Sequence, residues 1–127
     1  MARSLVGVKY RHGGRTRNSL DCGGLLIAIS EELNLPKGKI PLGYSRYPNG
    51  ELRAYILSGA VPQPTPSGGD IALWNSPHLD VPQHTGILTE NGGIIHACLR
   101  SRKVVEITRD PSWDVLFIEA FTFMGVV

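Results

Sequence analysis

Apolar residues are distributed in two different ways along this 127-residue chain. Between Asp21 and Leu35 they crowd together, with Leu25, Leu26, Ile27, Ala28, Ile29 and Leu33 wrapping most of the way round a helical projection. A helix with so wide an apolar surface is buried on more than one side. Asp21 or Ser19 can cap its start, and Asn34-Leu35-Pro36 ends it. From Asp70 onward the pattern changes to short apolar runs between turn residues, which predicts strands. The runs are Ile71 to Trp74, His84 to Thr89, Gly93 to Cys98, Lys103 to Thr108 and Val115 to Phe123. Asn91-Gly92 predicts a hairpin with a two-residue turn, and Arg100-Ser101 a second tight turn. A helical half followed by antiparallel strands makes the fold class α+β within one domain, residues 1–127.

The remaining stretches are polar or broken. Arg11-His12-Gly13-Gly14-Arg15-Thr16-Arg17-Asn18 reads as a basic loop. Residues 36–69 read as an irregular, proline-rich insertion with one short helix candidate at Glu51 to Leu57. Within it, Val61-Pro62-Gln63-Pro64-Thr65-Pro66 should be extended and stiff, because alternate prolines fix the backbone and remove donors. Fifteen Gly and nine Pro exceed the usual combined share of about 12% and argue against a helical bundle. With 42% hydrophobic and 19% charged residues the chain is not a disordered one. A net charge of +2 gives no ground for a nucleic-acid partner. No apolar stretch reaches the ~18 residues of a membrane span, and the first residues carry no signal-peptide pattern.

Chemistry concentrates on Cys22. It falls in the first turn of the predicted helix, where free N–H groups and the dipole favour a thiolate. Gly23 and Gly24 follow it without side chains to block a substrate, and Arg15 and Arg17 precede it as sources of positive potential. A thiolate needs a base, normally a histidine brought near by the fold. His84 opens one strand of the predicted hairpin and His96 closes the other. A two-residue Asn91-Gly92 turn pairs positions whose numbers sum to an odd total, which sets His84 opposite position 99 and leaves the facing of the two rings to the true register. Cys22, His84 and His96 together form a set of thiolate, base and base-orienter. The same two histidines with Cys98 and Cys22 are also zinc-compatible ligand types, although no C-x-x-C pair is present. Tyr10, Asp21, Trp74 and Trp113 each have a plain structural reading as packing or capping residues, and His12 and His78 read as loop residues.

Five segments in order resemble the NlpC/p60 cell-wall peptidases. They are Tyr10-Arg11-His12-Gly13-Gly14, Leu20-Asp21-Cys22-Gly23-Gly24-Leu25, Gly69-Asp70-Ile71-Ala72-Leu73-Trp74, His84-Thr85-Gly86-Ile87, and Asn91-Gly92-Gly93-Ile94-Ile95-His96-Ala97. The resemblance spans Val6 to Ala97 and implies a papain-like fold, with the nucleophile's helix packed on a C-terminal antiparallel sheet. It implies Cys22 as nucleophile, His84 as base and later acid, and His96 as the orienting third member, with a third ring that also supports the base's positive form. Tyr10 would line the site, Asp21 would help recognise the substrate's free amino end, and Gly23, which replaces the family's usual Ser, would alter contacts in the groove. No metal and no cofactor is implied.

The resemblance implies a cysteine endopeptidase on peptidoglycan stem peptides, with the γ-D-glutamyl to diamino acid bond favoured. A related amidase or acyltransferase on another amide, or an inactive structural part of a phage tail, are the alternatives. Without an export signal or wall-binding repeat, the chain resembles the single-domain peptidases of phage tails and prophage-like particles. The expectation is cytoplasmic synthesis, other tail proteins as partners, and action at the cell wall.

Overall fold

The computed structural model describes residues 2–35, 51–75 and 82–124. His78 and the 36–50 part of the expected insertion lie outside them. A 3₁₀ turn, Ala2–Leu5, precedes a two-stranded hairpin of β1 (Arg15–Thr16) and β2 (Ser19–Leu20). Then come α1 (Cys22–Glu32), α2 (Glu51–Leu57) and β3 (Ala60–Pro62). β4 (Ile71–Asn75), β5 (Pro82–Leu88), β6 (Gly93–Cys98) and β7 (Lys103–Thr108) follow, and α3 (Pro111–Leu116) leads into β8 (Phe117–Phe123). Six strands form one antiparallel sheet in the order β3-β8-β4-β5-β6-β7. The fold is α+β, as the hydrophobic pattern predicts.

Helix α1 is buried along its length from Gly23 to Ser30. Its one interior hydroxyl, Ser30, donates to the Leu26 carbonyl at 3.0 Å, so no polar group is stranded. Leu25, Leu26, Ala28 and Ile29 pack with Ile71, Leu73, Ile87, Ile95 and Ala97 into the main core. The opposite face of the same strands presents Ala72, Trp74, Leu88 and Ile94, covered by Trp113, Leu116 and Phe117. Because β4 is buried on both faces, Ile71 to Trp74 is apolar throughout rather than alternating.

Three local expectations are corrected. The residues expected to be a strand from Val115 begin instead as helix α3, capped by Asp110, whose carboxylate accepts from Ser112 N–H at 2.9 Å, with Pro111 in the first turn. The 36–69 stretch is not wholly irregular. Ala60–Pro62 pairs with β8 as an edge strand, a position where a proline's missing N–H is tolerated. The β5–β6 hairpin has three loop residues, not two: Thr89 N–H donates to Gly93 O at 3.0 Å, and Glu90, Asn91 and Gly92 form the loop. Gly92 sits at φ 82°, the left-handed position that such a loop requires. The expected tight turn at Arg100-Ser101 is present: Arg102 N–H donates to Leu99 O at 3.2 Å, within the connection between the Cys98–Lys103 pair.

Candidate active site

The start of α1 is anchored by one carboxylate. Asp21 is almost fully buried at 1% exposure, and it is the cap rather than Ser19. One oxygen accepts from Gly24 N–H at 2.7 Å and the other from Gly13 N–H at 2.7 Å. Bonds from N–H groups to a charged acceptor are the stronger kind, and these two tie the 11–14 loop to the helix. The crossing is tight: a Cβ on Gly24 would lie 1.8 Å from the Gly14 carbonyl oxygen. Gly24 is therefore required by backbone contact, not by room for a substrate. His12 Nδ1 lies 3.9 Å from the same carboxylate, a proximity that the loop reading of His12 missed.

Cys22 is the first residue of α1 and is half-buried, with Gly23 buried behind it. α1 rests against β5 and β6, the two strands that carry the histidines. Arg17 does not direct its charge toward Cys22. Its guanidinium pairs with Glu32, in the last turn of α1, and so faces the far end of the helix. Tyr10 is half-buried against the main core, and its backbone is bridged to Leu20, next to Asp21.

The histidines meet directly. His84 Nε2 and His96 Nδ1 are 2.8 Å apart, with the rings edge-to-face at 87°. The three-residue loop explains this. It pairs Ile87 with Ile95 and Leu88 with Ile94, an even sum, so even-numbered residues of both strands share one face. A Cβ on Gly86 would lie 3.0 Å from His96 Cβ, which puts His96 beside Gly86 and diagonal to His84. Backbone pairing of the two strands covers only the hairpin end, and toward His84 the imidazole bond joins them instead.

Two tryptophans enclose the pair. Trp74, opposite His84 across β4 and β5, has its ring centroid 5.9 Å away. Trp113 of α3 touches all three rings: 5.1 Å to His96, 6.0 Å to His84 and 5.0 Å to Trp74. Loss of solvent first, and the nearby His96 second, push the His84 pKa down to about 3. Desolvation lowers that of His96 as well. The environment thus disfavours positive charge on the pair, the reverse of the expected support for a charged base. The sequence reading missed Trp113 as a site residue because α3 was missed. Asp110-Pro111, a cap followed by proline at the first helical position, is the signal that marks it.

Among the described residues no group of three or more His, Cys, Asp or Glu is arranged to hold a metal ion. Cys98 lies two residues beyond His96 and is half-buried. Burial pushes its thiol pKa up, but hydrogen bonding from Ser101 and the nearby Arg100 outweigh that and lower it. Clefts of about 490 and 400 Å³ lie at the hairpin end, lined by Thr89 and Arg109 in one and Asn91 and Glu106 in the other. No described helix is long and apolar enough to cross a membrane.

Comparison with known proteins agrees with this architecture. The model of the NlpC/P60 family matches residues 7–120. The murein DD-endopeptidase MepS/murein LD-carboxypeptidase of Escherichia coli K12 is 27% identical over 117 residues, covering 90% of this chain and 55% of that protein. The chain thus spans about half the length of the curated relatives it matches. Among solved structures, the NlpC/p60 domain of the peptidoglycan hydrolase SagA superposes with a TM-score of 0.62 at 19% identity, covering 96% of this chain and 92% of that one. The P60 domain of the M. avium subspecies paratuberculosis antigen MAP1204 gives 0.64 at 20% identity, covering 99% and 90%. A Bacillus cereus family protein gives 0.71 at 19% identity, covering 98% of this chain and 38% of that one.

Proposed function

The chain belongs to the NlpC/P60 family, and from that premise we propose that it is a cysteine peptidase hydrolysing an amide in peptidoglycan stem peptides. The observation that carries the reading is the imidazole pair, His84 Nε2 to His96 Nδ1 at 2.8 Å, a base with its orienter. Helix α1 packs on the other face of the same strands, and the approach of Cys22, at the start of that helix, to His84 is what the reading proposes. His96 engages Nε2 of His84, so Nδ1 is the nitrogen left to serve as base. In the proposed reaction Cys22 Sγ attacks the scissile carbonyl carbon while its proton passes to His84 Nδ1. The oxyanion is held by amides of the first turn of α1, with Tyr10 at its side. His84 returns the proton to the leaving amine as the C–N bond breaks. Water then attacks the thioester carbon while His84 takes one of its protons. The C–S bond breaks as His84 returns that proton to sulfur, and the product leaves as a carboxylic acid that ionises in solvent.

A buried imidazole that resists charge cannot hold a proton for long without the thiolate beside it. Proton transfer and attack are therefore coupled in this reading. His96 orients the base and Tyr10 lines the substrate side. Asp21, buried with both oxygens on the Gly13 and Gly24 amides rather than open to a substrate's amino end, and Gly23, buried behind Cys22, shape that side from beneath.

The bond proposed is γ-D-glutamyl to a diamino acid. The name of the E. coli relative favours a second reading, cleavage of D,D-cross-links or removal of a terminal residue at an L,D bond. Incubation with defined peptidoglycan fragments, read by mass spectrometry, separates these and any amidase or acyltransferase action by product mass. Absence of cleavage by the wild type overturns the enzymatic reading in favour of a structural one, and equal cleavage by Cys22→Ala overturns Cys22 as the nucleophile. Thiol labelling should use a Cys98→Ser background, since Cys98 is itself activated. Carriage on a phage tail or prophage-like particle belongs to the same proposal. Mass spectrometry of purified particles tests it, and absence of the chain from them removes it.

A further inference from the structure

The cations of this chain are sorted by the fold. Arg3 pairs with Glu90 and Glu106, Arg17 with Glu32, Arg53 with Glu119 and Arg109 with Asp114. Lys9, Arg11, Arg100, Arg102 and Lys103 are all exposed and have no carboxylate partner among the described residues. Four of the five are joined through the backbone, and Arg11 is two residues along the chain from Lys9. Lys9 is bridged directly to Lys103, Tyr10 N–H donates to Arg102 O at 2.9 Å, and Arg100 and Arg102 occupy the β6–β7 turn.

Two features argue against an idle solvated face. Lysines directly opposite each other across a strand pair repel, and either a threonine or a carboxylate at one position would be the more stable choice. Arg102 is held at φ 59°, a left-handed conformation that glycine or asparagine adopts at lower cost. A strained backbone position occupied by a cation, within a cluster of like charges, points to a ligand that the charges meet. The cluster borders the histidine end of β6, since Arg100 is only four residues beyond His96.

We propose that this five-cation surface docks the anionic peptidoglycan strand itself, through the carboxylates of its stem peptides, and so holds the polymer beside the histidine pair. This rests on the function proposed above for the substrate, but it is a separate binding surface and can fail by itself. The overall charge of +2 conceals it, because the paired cations and their carboxylates cancel elsewhere.

The test compares Cys22→Ala protein with and without Lys9→Gln, Arg102→Gly and Lys103→Gln, on insoluble sacculi stripped of phosphodiester polymers. We expect retention that falls as salt rises from about 50 to 200 mM, as ionic contacts require, and retention about tenfold weaker for the triple variant. Sacculi with amidated carboxyls should bind both proteins equally poorly. In a Cys22 background the same three changes should leave hydrolysis of a small soluble stem peptide unchanged. Arg102→Gly relieves the left-handed residue, so melting temperature should not fall and misfolding cannot mimic the loss. Equal retention of triple variant and parent, retention insensitive to salt, retention confined to unstripped sacculi, or tighter retention on DNA-cellulose than on sacculi overturns the inference. If soluble peptide is not cleaved but sacculus retention depends on the three cations, the function proposed above fails and the docking surface stands.

Discussion

On the α1 side of the sheet, Ile71, Leu73, Ile87, Ile95 and Ala97 meet Leu25, Leu26 and Ile29, and every contact is carbon on carbon. On the α3 side, the intervening residues of the same strands, Trp74, His84 and His96, meet Trp113. One face is large and apolar, and the other is small, aromatic and nitrogen-bearing. The period of two lets three strands do both jobs at once, with the apolar core on the odd face and the histidine pair on the even one. The even face carries a cost: a Trp74 indole N–H with no hydrogen-bond partner among the described residues, and two imidazoles that resist protonation as pH falls.

If the faces divide in this way, neighbouring substitutions on opposite sides should fail in opposite assays. His84→Ala should lower turnover about 10²–10⁴-fold, the range for loss of a general base, while thermal melting shifts little. Leu73→Ala, fully buried on the other face, should lose about 2–5 kcal/mol of stability and keep near-normal turnover per folded molecule. Denaturant melts and product assays on both variants check this. A His84→Ala protein that unfolds as readily as Leu73→Ala, with turnover per folded molecule intact, breaks the comparison.

That division was only partly legible in the sequence. The α1 face could be read because its signals are local: five successive apolar residues within one helix, a cap at Asp21, and strands whose runs of Ile, Val and Leu end at turn residues. Gly93–Cys98 and Lys103–Thr108 coincide with the expected strands for that reason. The even face depends on facts that no window contains. One extra loop residue, fixed by the Thr89 pairing with Gly93 and by Gly93 N–H donating to Thr89 Oγ1 at 2.8 Å, changes the pairing sum from odd to even and turns both histidines to one side. Trp113 was hidden because Val115-Leu116 continues smoothly into the apolar run of β8, so that periodicity merges a six-residue helix with the strand behind it.

A smaller effect separates the faces by pH. His84 and His96 have pKa values below the ordinary 6.5 in the folded protein, His84 near 3. The unfolded chain therefore takes up protons first as pH falls. Stability is complete above about pH 6.5 and declines below it, and the His84 contribution stops changing once the folded ring also protonates near pH 3. One such group gives a slope of at most about 1.4 kcal/mol per pH unit in that window. Melting temperature recorded from pH 7 to pH 4 should fall in the wild type and fall less steeply in His84→Gln. Leu73→Ala, acting among apolar core side chains, should lower the whole curve without changing its slope. Parallel curves for wild type and His84→Gln would mean that the histidine pair is open to solvent.

The smallest change acts on the even face from outside. A helix of six residues has no stability of its own, so α3 depends on its cap and on the aromatic contacts of Trp113. Asp110→Ala removes the acceptor for the Ser112 N–H and hydroxyl and should fray the turn that holds Trp113 over the rings. Because Asp110 touches neither histidine in this arrangement, any effect on turnover must pass through Trp113. We expect melting lowered by no more than a few degrees, a several-fold loss of turnover, and a flatter acid decline in stability as water reaches the imidazoles. Asp110→Asn, which preserves a side-chain acceptor, should restore all three. Lowered melting with unchanged turnover and an unchanged acid slope would show that Trp113 only covers the sheet, and that the imidazole bond with Trp74 is sufficient to hold the even face.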